Sequence, residues 1–347
     1  MKGDFVFAIP GDLDTPTGGY VYDRRMIAEL RALGWRPEVL GLGDGFPRPN
    51  ALTLAAATAH LSDVPKGRPI VIDGLAFGVL PEAAASLRET HPLIALVHHP
   101  LALETGVTPE GAETLRASER AALACTRAVI VTSPATARTL AADYGVARER
   151  ITVAPPGTDR PQVVRRNSAT SVALLAVGAV VRRKGYDLLV EALAGLTDLP
   201  WTLTIVGDRN RDPATTAKLT ADIARHRLAP RVTVAGAVSD QRLADLYASS
   251  HLFVLPSRHE GFGMAYAEAI AYGLPVIGTT AGAIPETVAQ AGVLIPPDDV
   301  PALAAALRRL IESSAERDKL SAAARAAELP TWHGSAELFS RAIEGAT

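Results

Sequence analysis

The chain has 347 residues and a hydrophobic content of 48%, enough for two domains that each bury a core without a metal or a disulfide. Its formal net charge of −2 shows no excess of basic residues of the kind that nucleic-acid-binding proteins carry, which argues against that class. The single cysteine, Cys125, excludes an internal disulfide and suits a reducing compartment.

The first half of the chain alternates short apolar runs with stretches of helical spacing. After the first apolar run comes a loop rich in turn-forming residues, and then a helix that begins near Val21 and ends at Gly34. Strands that alternate with helices are typical of a parallel, doubly wound sheet. Strands are predicted at 5–9, 39–42, 70–72, 93–97 and 128–132, with further helices at 51–61, 79–90 and 109–125.

Two places in this half are candidate ligand contacts. Gly18 and Gly19 lie in the loop after the first predicted strand, where backbone amides can meet a phosphate or a sugar, although a plain turn would use the same residues. His98 and then His99 follow the strand at 93–97, and the carboxyl end of such a strand faces the ligand crevice. His98 is the first candidate for a contact with the ligand and His99 is the second. The alternative is a histidine with a purely structural role.

Asp12 and Asp14 spell D-x-D, a motif that binds divalent metal in a different transferase fold. That motif needs a site built around the metal, whereas helix amides and cationic side chains further along this chain can hold a diphosphate. We therefore expect a polar turn with two solvated carboxylates here, and we predict no metal site.

A second series of alternating strands and helices begins at residue 172. The segment 161–171 has the composition of a linker, so we expect domains at 1–160 and 161–329. The last stretch, 330–347, carries an amphipathic helix after a proline. The strands of the second half are predicted at 172–177, 201–206, 231–235, 251–255, 274–278 and 292–295.

Residues 251–290 form the chemically most informative unit, a strand, a loop, a helix at 264–272 and a second strand. Gly261 and Gly263 let the loop backbone approach a ligand closely. The first-turn amides of the helix are unpaired donors at its positive dipole end, which suits a phosphate. They belong to Met264, Ala265 and Tyr266.

Two carboxylates flank this helix N-terminus. Glu260 lies in the loop and Glu268 lies within the helix, so that both can reach one ligand. A carboxylate accepts hydrogen bonds from vicinal hydroxyls, which sugars and riboses both present. The alternative is an ordinary strand–helix turn with surface glutamates.

The segment from Glu260 to Glu268, EGFGMAYAE, resembles the E-x7-E signature of retaining family-4 glycosyltransferases of GT-B fold. The flanking sequences LPS and GLPVIGTTAGAIPETV are similar to the same pattern. The resemblance implies that Glu260 contacts the donor sugar and that Glu268 contacts the ribose of the nucleotide. It also implies a donor-sugar contact for His98, and it matches Gly18 and Gly19 to the N-terminal glycine loop of the family.

The loop at 178–185, GAVVRRKG, fits neither a P-loop nor a dinucleotide-binding glycine motif. It resembles the family's G-R-x-x-x-x-K-G, whose arginine and lysine neutralise the donor diphosphate. Lys184 is in register, but Ala179 occupies the position of the arginine. Arg182 or Arg183 is expected to supply the second charge, with Arg182 slightly preferred, and the alternative for both is a solvated surface arginine.

The resemblance implies an α/β protein of GT-B fold, with two Rossmann-like doubly wound parallel-sheet domains facing a central cleft and a last helix that returns to the first domain. Such an enzyme moves a sugar, with retention, from a UDP- or GDP-sugar to a hydroxyl of a glycan, a glycolipid or a small molecule. It implies no cofactor beyond this donor, no metal and no nucleic acid. The alternatives are a GT-B nucleotide-sugar epimerase and a non-catalytic nucleotide-sugar-binding protein.

No apolar run approaches the ~18 residues of a membrane span, and the apolar run near the N-terminus is too short for a signal peptide. We therefore expect a cytoplasmic protein, and a peripheral contact with the inner face of the membrane is left open. The nucleotide base, the acceptor and the oligomeric state leave no side-chain pattern in the sequence.

Overall fold

The computed structural model describes residues 2–15, 17–104, 106–161 and 171–347. The chain divides into two compact units, residues 1–157 with 330–347 and residues 158–329. All but the first and last residues of the predicted linker at 161–171 lie outside the described ranges.

The first unit is built on a six-stranded parallel sheet. Its strands are β1 (Asp4–Ile9), β2 (Arg36–Gly41), β3 (Ile70–Asp73), β4 (Leu93–Val97), β5 (Ala128–Val131) and β6 (Ile151–Val153), in the order β2-β1-β3-β4-β5-β6. Strands β3, β4 and β5 are buried along their whole length, as in a parallel sheet that is covered on both faces. The sequence predicts five of these strands and misses β6, because three half-buried residues are too few for a periodic signal.

Helices connect the strands of this sheet. They are α1 (Gly18–Ala32), α2 (Ala51–Ser62), α3 (Gly74–Phe77), α4 (Pro81–Leu87), α5 (Pro109–Leu123) and α6 (Pro134–Asp143). Helix α1 begins earlier than predicted because Thr17 caps it, with its side chain accepting a hydrogen bond from the Tyr20 amide. Gly18 and Gly19 therefore lie in the first turn of α1 and not in a loop, which corrects the prediction from the sequence.

The second unit is built on another six-stranded parallel sheet. Its strands are β7 (Val172–Val177), β8 (Trp201–Val206), β9 (Val232–Gly236), β10 (Leu252–Val254), β11 (Val276–Thr279) and β12 (Gly292–Ile295), in the order β12-β11-β10-β7-β8-β9. Helices of this unit are α7 (Tyr186–Ala194), α8 (Pro213–Arg225), α9 (Asp240–Ser249), α10 (Met264–Ala271), α11 (Ile284–Val288), α12 (Val300–Glu312) and α13 (Ser314–Ala326). The two predicted parallel, doubly wound sheets are confirmed.

The last helix, α14 (Trp332–Ala346), packs within the first unit. The ring of Phe339 stacks on Phe7 of β1 with 6.1 Å between centroids. Trp35 Nε1 donates to Ser340 Oγ at 2.9 Å, a hydrogen bond that fixes the buried face of the helix. Among the described residues, no helix combines the length and the apolar character that crossing a bilayer requires.

Strand order decides which loops meet in each unit. In the second sheet β7 and β10 are neighbours, and the order reverses at this pair. Ligands of open parallel sheets bind outside the carboxyl ends of the strands at such a reversal. The loops 178–185 and 255–263 leave from these two ends. In the first sheet β3 and β4 are neighbours, so Asp73 and His98 come to the same edge.

Candidate active site

The loops after β7 and β10 are fastened to each other by Arg258. Its backbone amide donates to the Arg183 carbonyl at 2.7 Å, and its guanidinium donates to both carboxylate oxygens of Asp187 at 3.1 and 3.0 Å. The same guanidinium reaches the Arg182 carbonyl at 2.6 Å. Because Arg258 joins both loops, the side chains of one are held at fixed distances from those of the other.

Three donors converge on the carboxylate of Glu260. Lys184 Nζ and Ser257 Oγ both lie 2.7 Å from Oε1, and Arg183 Nη1 lies 2.9 Å from Oε2. Burial, with only 6% of Glu260 exposed, would raise its pKa, but Lys184 and Arg183 outweigh burial and hold the pKa well below its usual range. Glu260 is therefore an anion that brings two cations together.

Lys184 reaches Glu260 along a path that depends on Gly178. A Cβ at residue 178 would lie 2.8 Å from Lys184 Cε, so only glycine leaves room for this side chain. The Tyr186 hydroxyl donates to the Gly178 carbonyl at 2.7 Å and fixes the turn that makes this room. Burial lowers the pKa of Lys184, Arg183 lowers it further, and Glu260 opposes both.

The N-terminus of α10 lies beside this ion cluster. Gly263 caps the helix in a left-handed conformation with φ +93°, and a Cβ there would lie 3.8 Å from Glu260 Cβ. The Tyr266 amide donates to the Gly263 carbonyl at 3.0 Å, which corrects the prediction that it is unpaired. Within the described part of the chain, the first-turn amides of Met264 and Ala265 have no acceptor and are the ones that can meet an anion.

The second carboxylate of the motif, Glu268, has different surroundings. The Tyr247 hydroxyl donates to Glu268 Oε2 at 2.8 Å, and the structure describes no cation in contact with this carboxylate. Burial raises the pKa of Glu268, while the hydrogen bond from Tyr247 partly opposes that shift. Oε1 thus stays ready to accept a hydrogen bond from a ligand hydroxyl. Sequence reasoning misses Tyr247, because its contact with Glu268 joins α9 to α10.

A separate cluster lies in the first unit, where β3, β4 and α1 meet. His98 Nε2 lies 3.2 Å from Asp73 Oδ2 and 3.4 Å from Asp23 Oδ1. Burial would lower the pKa of His98, but the two carboxylates outweigh burial and raise it to about 10. Burial raises the pKa of Asp23 to about 7, against the opposing effect of His98. A Cβ on Gly19 would come within 3.5 Å of the His98 ring, so the predicted Gly19 and His98 are neighbours.

The remaining candidates of the first unit lie apart from this cluster. His99 Nε2 pairs with Glu104 Oε2 at 2.9 Å. The Asp14 amide donates to Asp12 Oδ1 at 2.9 Å, which makes D-x-D a local polar turn. Among the described residues, the group of carboxylates and imidazoles close enough to hold a metal ion together is Asp23, Asp73 and His98, which does not include Asp12 or Asp14.

Two family models match the chain. Residues 70–161 match the model described as Glycosyltransferase Family 4, and residues 171–313 match the model described as Glycosyl transferases group 1. The chain is similar to the MMP alpha-(1->4)-mannosyltransferase of Mycolicibacterium hassiacum, at 30% identity over 84% of this chain and 74% of that protein. The chain belongs to glycosyltransferase family 4.

A second relative and a solved structure are also similar to the chain. The D-inositol 3-phosphate glycosyltransferase of Xylanimonas cellulosilytica is 32% identical over 65% of this glycosyltransferase, which spans only 58% of that relative. The sucrose-phosphate synthase of Thermosynechococcus elongatus superposes with a TM-score of 0.80 at 23% identity, over 97% of this chain and 98% of that one. This likeness and the two parallel sheets confirm the predicted GT-B fold.

One arginine of the 178–185 loop in this glycosyltransferase contacts Glu260. Arg183 Nη1 donates to Glu260 Oε2 and, at 2.7 Å, to the His259 carbonyl. The Arg182 side chain is exposed, and its residue contributes a backbone carbonyl to Arg258. The geometry therefore favours Arg183 as the second cation, in contrast to the slight preference for Arg182 from the sequence. The tight 3₁₀ turn at 182–184 sets these directions, and no sequence period reveals it.

Proposed function

We propose that this family-4 glycosyltransferase moves a sugar from a nucleoside-diphosphate sugar to a hydroxyl acceptor with retention of the anomeric configuration. One observation carries the proposal: Lys184 and Arg183 meet on Glu260 beside the unpaired amides of α10. Two cations and a helix N-terminus in one partly buried place suit a diphosphate better than any neutral ligand.

The site would act on the leaving group. As the bond from the sugar C1 to the phosphate oxygen breaks, negative charge grows on the diphosphate. Lys184, Arg183 and the amides of Met264 and Ala265 are placed to stabilise that charge, and removal of one such donor typically raises the barrier by about 3 kcal/mol. This positive charge comes from the chain itself, so we propose that no metal takes part in the departure of the diphosphate.

Glu260 is suited to orient groups and not to exchange protons. Its pKa lies well below the usual range, so it is a weak base and carries no proton to donate. We assign it two tasks, to hold Lys184 and Arg183 in place and to contact the donor sugar. The acceptor would then lose its proton to the leaving phosphate on the same face of the sugar, which retains the configuration.

Glu268 is assigned to the ribose of the donor, since its carboxylate is half-buried, is held on one side by Tyr247 and contacts no cation among the described residues. A ribose offers two neighbouring hydroxyl donors for such an acceptor. Either UDP or GDP satisfies these contacts, because base recognition through the backbone needs no particular side chain. The names of the relatives point to acceptors that are small sugars or polyols, some of them phosphorylated.

The test is product analysis with a panel of UDP- and GDP-sugars and of inositol, hexose and hexose-phosphate acceptors. The expected result is release of nucleoside diphosphate together with a glycoside whose anomeric proton has the donor's configuration by NMR. An altered donor sugar with its nucleotide intact would identify an epimerase instead. Tight binding of the donor without any product would identify a binding protein. The Lys184→Ala variant is the control for contaminating activity.

A further inference from the structure

The carboxylates of Asp23 and Asp73 both lie beside one imidazole, that of His98. A histidine with a purely structural role needs only one acceptor at Nε2. An imidazole carries at most one hydrogen on Nε2, and that hydrogen can point to a single carboxylate. Here two carboxylates lie within 3.4 Å of the same nitrogen. Asp73 also accepts a hydrogen bond from the Leu75 amide at 2.7 Å, so its own position is fixed by the start of α3.

Asp23 is the member of this cluster whose charge is least compensated by hydrogen bonds. It is 0% exposed, and neither of its carboxylate oxygens accepts a hydrogen bond within the part of the chain that the structure describes. A buried carboxylate without donors is destabilising unless a positive charge compensates it. His98 supplies that charge only when both of its ring nitrogens carry a hydrogen, so Asp23 and His98 stabilise each other as ions.

The other described groups that pack on His98 do not replace this charge. From α1 the ring edge of Tyr22 meets the imidazole at 5.3 Å between centroids, and burial raises the pKa of that phenol well above its usual value. From the end of β5 the Thr132 hydroxyl donates to the His98 carbonyl at 3.0 Å. The adjacent His99 is paired with Glu104. The charged groups that face His98 in this unit are therefore the two aspartates.

We propose that Asp23 and Asp73 are positioning residues that hold His98 as an imidazolium, so that its exposed edge donates a charged hydrogen bond to an oxygen of the bound sugar. Nε2 is buried against the carboxylates, whereas 20% of the His98 side chain is exposed. A neutral ring with its hydrogen on Nε2 would accept at Nδ1, but an imidazolium donates there. The aspartates thus decide whether His98 donates to the ligand or accepts from it. That the ligand is a sugar rests on the proposed function, whereas the charge of His98 does not.

The charge state is tested without turnover, by nitrogen-15 NMR titration of the His98 ring in the ligand-free protein. We expect both ring nitrogens of the wild type to stay protonated to above about pH 8, well past the ordinary histidine range. Asp23→Asn should titrate at lower pH, and the double variant Asp23→Asn with Asp73→Asn should be neutral at about pH 7. Tyr22→Phe is the matched control, because it removes a buried hydrogen bond to the Ala154 carbonyl beside His98 but no charge. This control should titrate as the wild type does.

Loss of the His98 proton near pH 6.5 in the wild type, or an unchanged titration in the aspartate variants, would overturn the proposal. Turnover then separates positioning from a general loss of structure. Asp23→Asn should lose about tenfold in activity for each pH unit above its own His98 titration, as the imidazolium fraction falls, so its loss relative to the wild type should grow with pH. An equal loss at every pH would mean a structural role and contradict the proposal. Failure of the wild type to turn over any donor would instead contradict the proposed function, and the NMR titration would still decide the charge of His98.

Discussion

Lys184 Nζ lies 2.7 Å from Glu260 Oε1, in a contact that leaves 14% of the lysine side chain and 8% of the glutamate side chain exposed. Removing one partner of an ion pair that is so little exposed to solvent is strongly destabilising, because the remaining charge stays buried without a partner. Glu260 therefore controls the position and the charge of the residue that we assign to the diphosphate.

Glu260→Gln keeps the shape of the side chain and removes its charge. We expect the free energy of unfolding to fall by about 3 kcal/mol, since Lys184 and Arg183 would then face each other without an anion. We expect kcat to fall by about a hundredfold, because both cations lose their fixed positions. Chemical denaturation and steady-state kinetics measure the two effects. Glu191→Gln, on the exposed side of α7, is the control and should match the wild type in both. Wild-type stability in the Glu260 variant would show that the cations do not depend on it.

Glu268→Ala tests the proposed ribose contact. A hydrogen bond to a charged acceptor contributes roughly 1.5–3 kcal/mol, so we expect nucleoside diphosphate to bind at least about tenfold more weakly. Isothermal titration calorimetry measures this, and circular dichroism checks that the variant is folded. Glu191→Ala serves as the matched surface variant. Unchanged affinity in Glu268→Ala would place the nucleotide elsewhere.

Glu119 in α5 should make the stability of the first unit depend on pH. Burial raises its pKa to about 8, although Glu119 Oε2 accepts a hydrogen bond from the Leu101 amide at 2.9 Å. The folded state therefore holds this proton more tightly than the unfolded state. The resulting stability is complete below about pH 4.5 and is lost as the pH rises through about 8. Glu119→Gln cannot ionise and should escape this loss.

The difference in unfolding free energy between wild type and Glu119→Gln should shift by an amount on the order of 3 kcal/mol in favour of the variant between pH 5 and pH 9. Urea denaturation across that range measures it. Glu110→Gln, an exposed position on the same helix, should show no such shift. A constant difference between wild type and Glu119→Gln would mean that Glu119 keeps an ordinary pKa.

Removal of divalent cations with EDTA should leave initial transfer rates within about twofold, because Lys184, Arg183 and the α10 amides supply the positive charge for the diphosphate. Rates measured before and after chelation, with and without added manganese, check this. Complete loss of activity that manganese restores would bring a metal into the reaction. Asp12→Asn and Asp14→Asn would then show whether the D-x-D turn binds it.

Much of the second unit is predictable from the sequence because its signals are local. The strand β10, the glycine-rich loop and helix α10 follow one another along the chain, so Glu260, Gly263 and Glu268 are found from a single stretch. Lys184 is found in the same way, since it follows directly on β7. The two parallel sheets are predictable for the same reason, because apolar runs and helical periods alternate locally along the chain, and the strand orders confirm them.

The cluster around His98 could not be predicted, because it depends on tertiary contacts. Asp23 comes from the middle of α1 and Asp73 from the end of β3, and neither belongs to a motif with His98. Only the adjacency of β3 and β4 and the packing of α1 bring the two carboxylates to one nitrogen. The sequence predicts the start of α1 too late for a related reason, since Thr17 follows a stretch of residues that suit turns as well as caps.

The most direct test of the diphosphate site is kcat, measured at saturating donor, for wild type, Lys184→Ala, Arg183→Ala and Arg182→Ala. Charge on the diphosphate grows as the bond breaks, so loss of a cation that touches it should lower kcat more than it weakens donor binding. We expect Lys184→Ala and Arg183→Ala each to lose about a hundredfold or more. Arg182→Ala should stay within about twofold of the wild type, because its side chain is exposed and does not reach Glu260. Wild-type kcat in Arg183→Ala, or a large loss in Arg182→Ala, would contradict the assignment of Lys184 and Arg183 as the cations that stabilise the leaving diphosphate.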